Sequence, residues 1–445
     1  MTRARLDSNQ KDVLKKSDRE MVRVALRRLP MYMKQKRWLG TKNAYRGGQP
    51  GAQLNHKHLG EFIAASAPLH CADGWALLGR ALDCHARGDA DGARHLGYYA
   101  ELRGAMSLLA AEGIGVFDSK HAVLESSGTC LKLPGRRVPR THLITWLALK
   151  HWAGLKRSAD LLADVIEPGG VPLSEWLDAF QGVAGAWHPI GDRWLRTWGL
   201  DLQRMAKDQK ARNVASYRPS HVDPGPCLPV LDCSGFVRDL WEICEPSSVS
   251  RFELLDRHLL RLGLEAAFKG ITGKKASDDC SSYEGRVRAM LGAVAPEGPL
   301  VEELERFLTR DSQPEDPSLT SEASGVLAAN HPRHHVQVMS RAALLLRFAT
   351  GACAAMLRHA DLARNDLEFW WKALGEERRL WDPGGEPEEL VDLWADVESA
   401  LRGVREWEVA ANEGGASQAE WRRECSQEIS VLGECERIAL WGLGL

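Results

Sequence analysis

Apolar residues recur along this chain at intervals of three and four, which is the spacing of one helical face. Met21, Val24, Ala25 and Leu29 form such a stripe within Ser17–Trp38, with arginine and lysine opposite, and Pro30 is expected to interrupt or kink it. Asp73–Arg87 and Asp91–Ala111 predict two helices divided by a turn at Gly88 and Asp89. In the second, Tyr98, Leu102, Ala105, Leu108 and Leu109 make a stripe to bury. Further helices are expected over Thr141–Trp152, Ser158–Val165, Leu173–Phe180 and Gly191–Ser216, the last turning Arg193, Trp194, Trp198, Leu202, Met205 and Ala206 towards a core. The second half repeats the pattern at Phe236–Cys244, Phe252–Phe268, Tyr283–Ala293, Leu300–Thr309, Leu367–Leu374, Glu388–Arg405 and Gln418–Ile429. Val336–Arg358 is the longest apolar helix of this set. The apolar end, ERIALWGLGL, would be a liability in water, so it is expected to dock into the core or onto a partner.

The helical period lapses at a few places. Ile114–Leu133 contains two short β-capable runs around a Ser-Ser-Gly turn and predicts a small ribbon between helices. Thr41–Gln53 is polar and Gly-rich and reads as a linker, while Pro219, Pro224, Pro226 and Pro229 mark a break. The expected architecture is mainly α, a set of multi-helix bundles with a small β-ribbon insertion. The expected division is an N-terminal arm and linker over 1–53, a bundle with the ribbon over 54–222, and a C-terminal helical domain over 223–445.

Length supports this division, since 445 residues exceed one ordinary core. Trp is over-represented, at 16 against 6 Tyr and 9 Phe, and is expected to staple helices, with a minority serving as surface anchors. The ten Cys form no CxxC pair, and Cys353 lies among helical apolar positions, so they read as reduced thiols used as small hydrophobes. Paired ligand spacing for zinc is missing, no metal site is expected, and no motif calls for a cofactor. The start, MTRARLDSNQKDVLKK, has no apolar h-region and no run approaches eighteen apolar residues. Those features predict a cytoplasmic protein without a membrane contact.

Charge is unevenly placed. Residues 1–46 hold 14 Lys and Arg against 4 Asp and Glu, whereas the whole chain carries a formal charge of −2. A basic arm of this kind suits an anionic partner, with Lys34, Lys36, Arg37 and Lys42 as candidate nucleic-acid contacts. The alternative is an intramolecular contact with the acidic remainder.

The stretch QKARNVASYRPSH, residues 209–221, concentrates candidate chemistry at a helix end. Arg212 and Arg218 are cations able to hold a phosphate, and His221 titrates near neutrality and suits a general base. Asn213 and Tyr217 stand between them. The structural alternative is a capped helix terminus with Tyr217 packed and Arg218-Pro219 turning the chain. His331, His334 and His335 precede a long helix and suit either a metal or phosphate contact or a polar cap region. Gly270–Lys275, GITGKK, lacks the strand and full spacing of a phosphate loop.

RNVASY, with Arg212 and Asn213, resembles the motif of HEPN domains, helical bundles of prokaryotic defence and toxin proteins. HLGYYAELRGAMSLLA, His95–Ala110, is similar to the early HEPN helix, and the resemblance spans residues 70–222. Tyr217 stands where the family places its His, and His221 follows later. The resemblance implies a bundle acting as a scaffold or nucleic-acid contact within a multi-protein bacterial assembly, with anti-phage defence as the setting and other protein subunits as partners. Its alternative implication is a metal-independent ribonuclease using Arg212 with His221 or Tyr217.

Overall fold

The computed structural model describes residues 5–34, 56–118, 120–135, 138–182, 190–217, 228–247, 249–294 and 299–444. In chain order its helices are α1 (Ser8–Lys15), α2 (Arg19–Leu26), α3 (Leu29–Lys34), α4 (His56–Ala86), α5 (Ala90–Ala111), α6 (Thr141–Ala153), α7 (Lys156–Val165), α8 (Leu173–Gln181), α9 (Gly191–Thr197), α10 (Leu202–Tyr217) and α11 (Val230–Glu242). They continue as α12 (Glu253–Thr272), α13 (Cys280–Val294), α14 (Pro299–Leu308), α15 (Ser318–Ser324), α16 (His334–His359), α17 (Glu368–Arg378), α18 (Trp394–Gly414), α19 (Gln418–Glu424), α20 (Ser426–Leu432) and α21 (Glu436–Leu443). The mainly α class expected from the periodicity is observed. Between α5 and α6 lies one antiparallel sheet of β1 (Ile114–Gly115), β2 (Ala122–Leu124) and β3 (Cys130–Lys132) in that order. The expected hairpin is β2 and β3, with Val123 opposite Leu131, and β1 adds a third strand with Ile114 opposite Val123.

The chain forms two compact units. The first comprises Met1–Trp152, Leu202–Arg238 and Leu327–Leu445, and the second comprises Ala153–Asp201 and Asp239–Val326. These differ from the contiguous domains 1–53, 54–222 and 223–445 suggested by the breaks in pattern. Two of the crossings, after Asp201 and after Arg238, fall inside stretches of continuous helical spacing, so periodicity carries no mark of them. One crossing corrects a helix. Gly191–Ser216 is not one helix but α9 and α10, parted at Trp198–Asp201, where Gly199 takes φ 94°. A Cβ there would also sit 3.0 Å from the Thr320 carbonyl oxygen, so both conformation and space favour glycine. The segment expected over Ser17–Trp38 is interrupted at Arg27–Arg28, before Pro30: Asp18 caps α2, accepting from Met21 N at 3.0 Å, and Pro30 falls in the first turn of α3, where its missing N–H is harmless.

In the first unit, α4 and α5 form a hairpin. Gly88 turns the chain at φ 74° and Asp89 caps α5 by accepting from Gly92 N at 2.8 Å. The small residues Gly74 and Gly104 let α16 press its Leu345 and Leu346 against this pair. Helix α16 is long and apolar enough to cross a membrane by composition, yet 89% of its apolar window is buried inside the fold. The apolar end docks as α21, whose Ile438, Ala439, Leu440 and Trp441 are buried and which packs on α4 and α16. Trp75 and Trp152 staple the same core, donating to Thr350 Oγ1 at 2.9 Å and Glu112 Oε2 at 2.9 Å.

The described part of the basic N-terminal segment belongs to this unit and uses its cations internally. Arg19 pairs with Glu112 at 2.6 Å and Arg28 with Glu61 at 2.9 Å, both carboxylates being buried. Ser17 bridges to Glu125, and Asp18 N donates to the Leu124 carbonyl at 2.9 Å, which ties the segment to the sheet.

The second unit is built on α12. Trp194 and Trp198 stack at 4.9 Å, and Trp198 donates to the Leu259 carbonyl at 3.0 Å. Arg261 is wholly buried under Phe307 and gathers the carbonyls of Gln313 and Glu315 with the Asp316 carboxylate, which organises the loop after α14.

Candidate functional site

Of the residues singled out at the end of α10, the structure gives a clear setting to Arg212. Its guanidinium carbon lies 5.5 Å from the Tyr98 ring centroid and 5.2 Å from that of Tyr99, both on α5. At those distances the quadrupole of each ring attracts the cation. Asn213 is exposed beside it. Tyr217 closes α10, but its side chain lies outside the described residues, as do Arg218 and His221. Lys34 ends α3 with its side chain likewise outside, and Lys36, Arg37 and Lys42 fall wholly outside.

The partners of Arg212 are therefore not the residues next to it in sequence. His95 on α5 stacks obliquely on Tyr99 at 5.1 Å. His142, in the first turn of α6, lies parallel to Tyr98 at 5.7 Å and edge-on to Tyr99 at 5.7 Å. Tyr98 is fully buried, while His95, Tyr99, His142 and Arg212 are half-buried, so the cluster opens to solvent on one side. The helix period explains the gathering on α5: His95 and Tyr99 are four apart and share one face, with Tyr98 turned inward beside them. That spacing was visible in HLGYY. The identity of the cation meeting it, over a hundred residues away, was not.

Hydrogen bonds fix one imidazole. Trp146 Nε1 donates to the Tyr98 oxygen at 3.5 Å, and Tyr98 meets His142 Nδ1 at 3.0 Å. In the neutral ring that carries its proton on Nε2, the phenol donates to His142 Nδ1. Burial, and then the charge of Arg212, lower the pKa of both His95 and His142 from the ordinary 6.5. Burial also pushes the Tyr98 phenol far above its usual value, so it remains a donor. The arrangement offers one cation, two imidazoles of lowered pKa and the half-buried face of Tyr99, with Tyr98 buried beneath them.

One turn back along α10 lies a different kind of cluster. Asp208 and Glu101 are buried and share the buried Arg341 of α16, at 2.7 Å and 3.2 Å. Burial pushes both carboxyls up, Glu101 further through the charge of Asp208, while Arg341 opposes the shift in each. His334 Nε2 stands 3.6 Å from Asp208.

The other candidates take structural places. His331 does cap the turn before α16, accepting from Arg333 N at 3.1 Å. His334 and His335 are not a polar cap region: both are buried, and His335 Nε2 meets His85 Nδ1 at 2.8 Å. Pairing each imidazole with a buried polar neighbour lets it enter the core. Among the described residues no group of three or more His, Cys, Asp or Glu is placed to hold a metal ion. Gly270–Lys275 is the end of α12, with Gly273 as a left-handed cap at φ 74° and Lys274 paired to Asp279 at 2.8 Å. Lys275 lines a cavity of about 480 Å³, but Glu265 and Arg310 on its wall neutralise each other at 2.6 Å. No family model matches the chain, and no curated protein and no solved structure does.

Proposed function

We propose that the face around Arg212 contacts RNA and cleaves it without a metal, in a cytoplasmic protein of the HEPN type. The observation carrying this is the convergence of Arg212 with His95, His142, Tyr98 and Tyr99 at a point open to solvent. The fixed cation suits a phosphate, the half-buried Tyr99 face suits an unstacked base, and two imidazoles suit proton transfer. In the step proposed, a neutral imidazole takes the proton of a ribose 2′-OH, and that oxygen attacks the adjacent phosphorus. The bond from phosphorus to the 5′-oxygen breaks, and the second imidazole, protonated, gives its proton to that oxygen. The products are a 2′,3′-cyclic phosphate and a 5′-hydroxyl, with Arg212 holding the charge that builds on phosphorus in between. His142, which when protonated holds one N–H on Nδ1 toward the Tyr98 oxygen and gives the other from Nε2, is assigned the donor and His95 the base.

The second reading is a scaffold, in which Arg212 packs on its tyrosines and other subunits or the segment bearing Lys36, Arg37 and Lys42 provide the contacts. What favours it is the stacking itself, which gives Arg212 a structural role. Two features first suggesting an interaction protein are accounted for within the chain: the apolar end is buried as α21, and seven tryptophans are fully buried. A mixed RNA pool incubated with the wild type, His95→Ala and His142→Ala separates the readings. Cleavage to cyclic phosphate ends by the wild type, lost in both variants without loss of fold, supports the ribonuclease. No cleavage by a folded wild type refutes it.

A further inference from the structure

We infer that the buried triad of Glu101, Arg341 and Asp208 is a register lock that seats Arg212 on Tyr98 and Tyr99. The inference rests on the Arg212 cluster being a functional site, and names the residues that position it. The geometry is a matter of one helical turn. Asp208 and Arg212 are four apart on α10 and share its α5-facing side, while Tyr98 and Glu101 are three apart on α5. Arg341, from α16, joins Asp208 at 2.7 Å to Glu101 at 3.2 Å at the level of the lock. At the next turn the two helices present Arg212 to Tyr98 and Tyr99. Sliding or rotating α10 by one residue would break both arrangements together.

The rest of α10 does not specify this register strongly. Among its described side chains the buried ones are Leu202, Met205, Asp208 and Ala211, and small or flexible apolar side chains tolerate a shift. A triad of charges, each 6% exposed or less, does not tolerate one, because a slip leaves buried charges unpaired. Burying three charges is a poor way to gain stability compared with apolar residues of similar volume, and the best-attested use of such a group is to fix register.

The test separates position from stability. In Glu101→Leu/Asp208→Leu/Arg341→Met the triad becomes apolar, and the melting temperature is expected to hold or rise. His95 and His142 are then followed by NMR titration of the full chain, with no RNA present. Both imidazoles are expected to titrate at higher pH than in the wild type, by as much as in Arg212→Ala, because the cation has left them. Cleavage of the RNA pool at saturating RNA is expected to fall to the Arg212→Ala level. Should the triple variant fail to fold, Asp208→Asn, which keeps the volume, is expected to give a smaller shift of the same sign. Unchanged titration of both imidazoles in whichever of these variants folds overturns the lock, as does their unchanged titration in Arg212→Ala. Because the titration needs no RNA, a wild type that cleaves nothing defeats the ribonuclease reading while leaving this readout to decide the lock.

Discussion

Lowering the pH from 7 to 5 should unfold the first unit before the second. The cause is histidine buried in its neutral form. His85, His334 and His335 lie in the first unit and are each no more than 5% exposed. Burial, aided by nearby arginines, lowers them to about 4, about 4 and about 2. Unfolded, each returns to an ordinary value near 6.5. The folded pKa lies below the unfolded one, so the contribution to stability is present above pH 6.5 and is lost as pH falls towards the folded values. Between pH 7 and 5 each histidine forfeits about 2 kcal/mol, or about 6 kcal/mol for the three, against a usual domain stability of about 5–15 kcal/mol. Among the described residues the second unit has one such group, His258, lowered to about 3 by burial and then Arg261, and forfeits about 2 kcal/mol. Glu101 and Asp208 work in the opposite direction, since burial raises both and protonation favours the folded form as pH drops. They offset part of the loss in the first unit. His70, lowered to about 3 by burial and then Arg103, adds a fourth proton, so urea unfolding at pH 7, 6.5, 6, 5.5 and 5 should read a slope of about 5 kcal/mol per pH unit near pH 5, less the part offset by Glu101 and Asp208. In His85→Leu/His335→Leu, both members of the buried pair are removed, His70 and His334 remain, and the slope should drop by about 2.7 kcal/mol per pH unit. A wild-type stability that stays flat over this range, or a double variant with the wild-type slope, would refute the reasoning.

Three further outcomes follow from other parts of the structure. Gly79→Ala places a Cβ 2.1 Å from the Gly433 carbonyl oxygen and 2.9 Å from Cys435 N, and should cost about 1–3 kcal/mol by overpacking, read as a lower urea midpoint. Arg261→Ala leaves the carbonyls of Gln313 and Glu315 without their shared donor, while Asp316 keeps Arg310 at 3.1 Å, and should cost about 1–3 kcal/mol in the second unit, checked by calorimetry. Cleavage, if measured against pH, should peak below 6.5, because burial and Arg212 lower both imidazoles and one of them must be protonated to act as acid; a peak at or above pH 8 contradicts that assignment.

The helices were legible in the sequence where a local rule decides them. Gly88 and Asp89 end one helix and cap the next whatever else the chain does, and the Ser-Ser-Gly turn closes its ribbon in the same way. What was not legible depends on which helix meets which. The stripe from Trp194 to Met205 reads as one face, yet its two ends belong to different units, and only the conformation of Gly199 betrays the break. His334 and His335 read as a metal or phosphate contact or a polar cap region because their partners, Asp208 and His85, lie far away in sequence. The site was half legible for the same reason. Arg212 stands out by its motif and His95 with Tyr99 by their spacing, but His142 carries no local signal at all. Its place comes from the packing of α6 beside α5.

The central claim is that Arg212, His95 and His142 act together on RNA. Its most direct test is single-turnover cleavage of a labelled RNA by the wild type, Arg212→Ala, His95→Ala and His142→Ala, each with its melting temperature measured alongside. The account predicts cleavage to cyclic phosphate ends in the wild type and a fall of about 10²-fold or more in every variant, the scale of losing a general acid or base, with melting temperatures close to the wild type for the two half-buried histidines. Cleavage that persists in a folded His95→Ala/His142→Ala double variant, or its absence in the folded wild type, would contradict it.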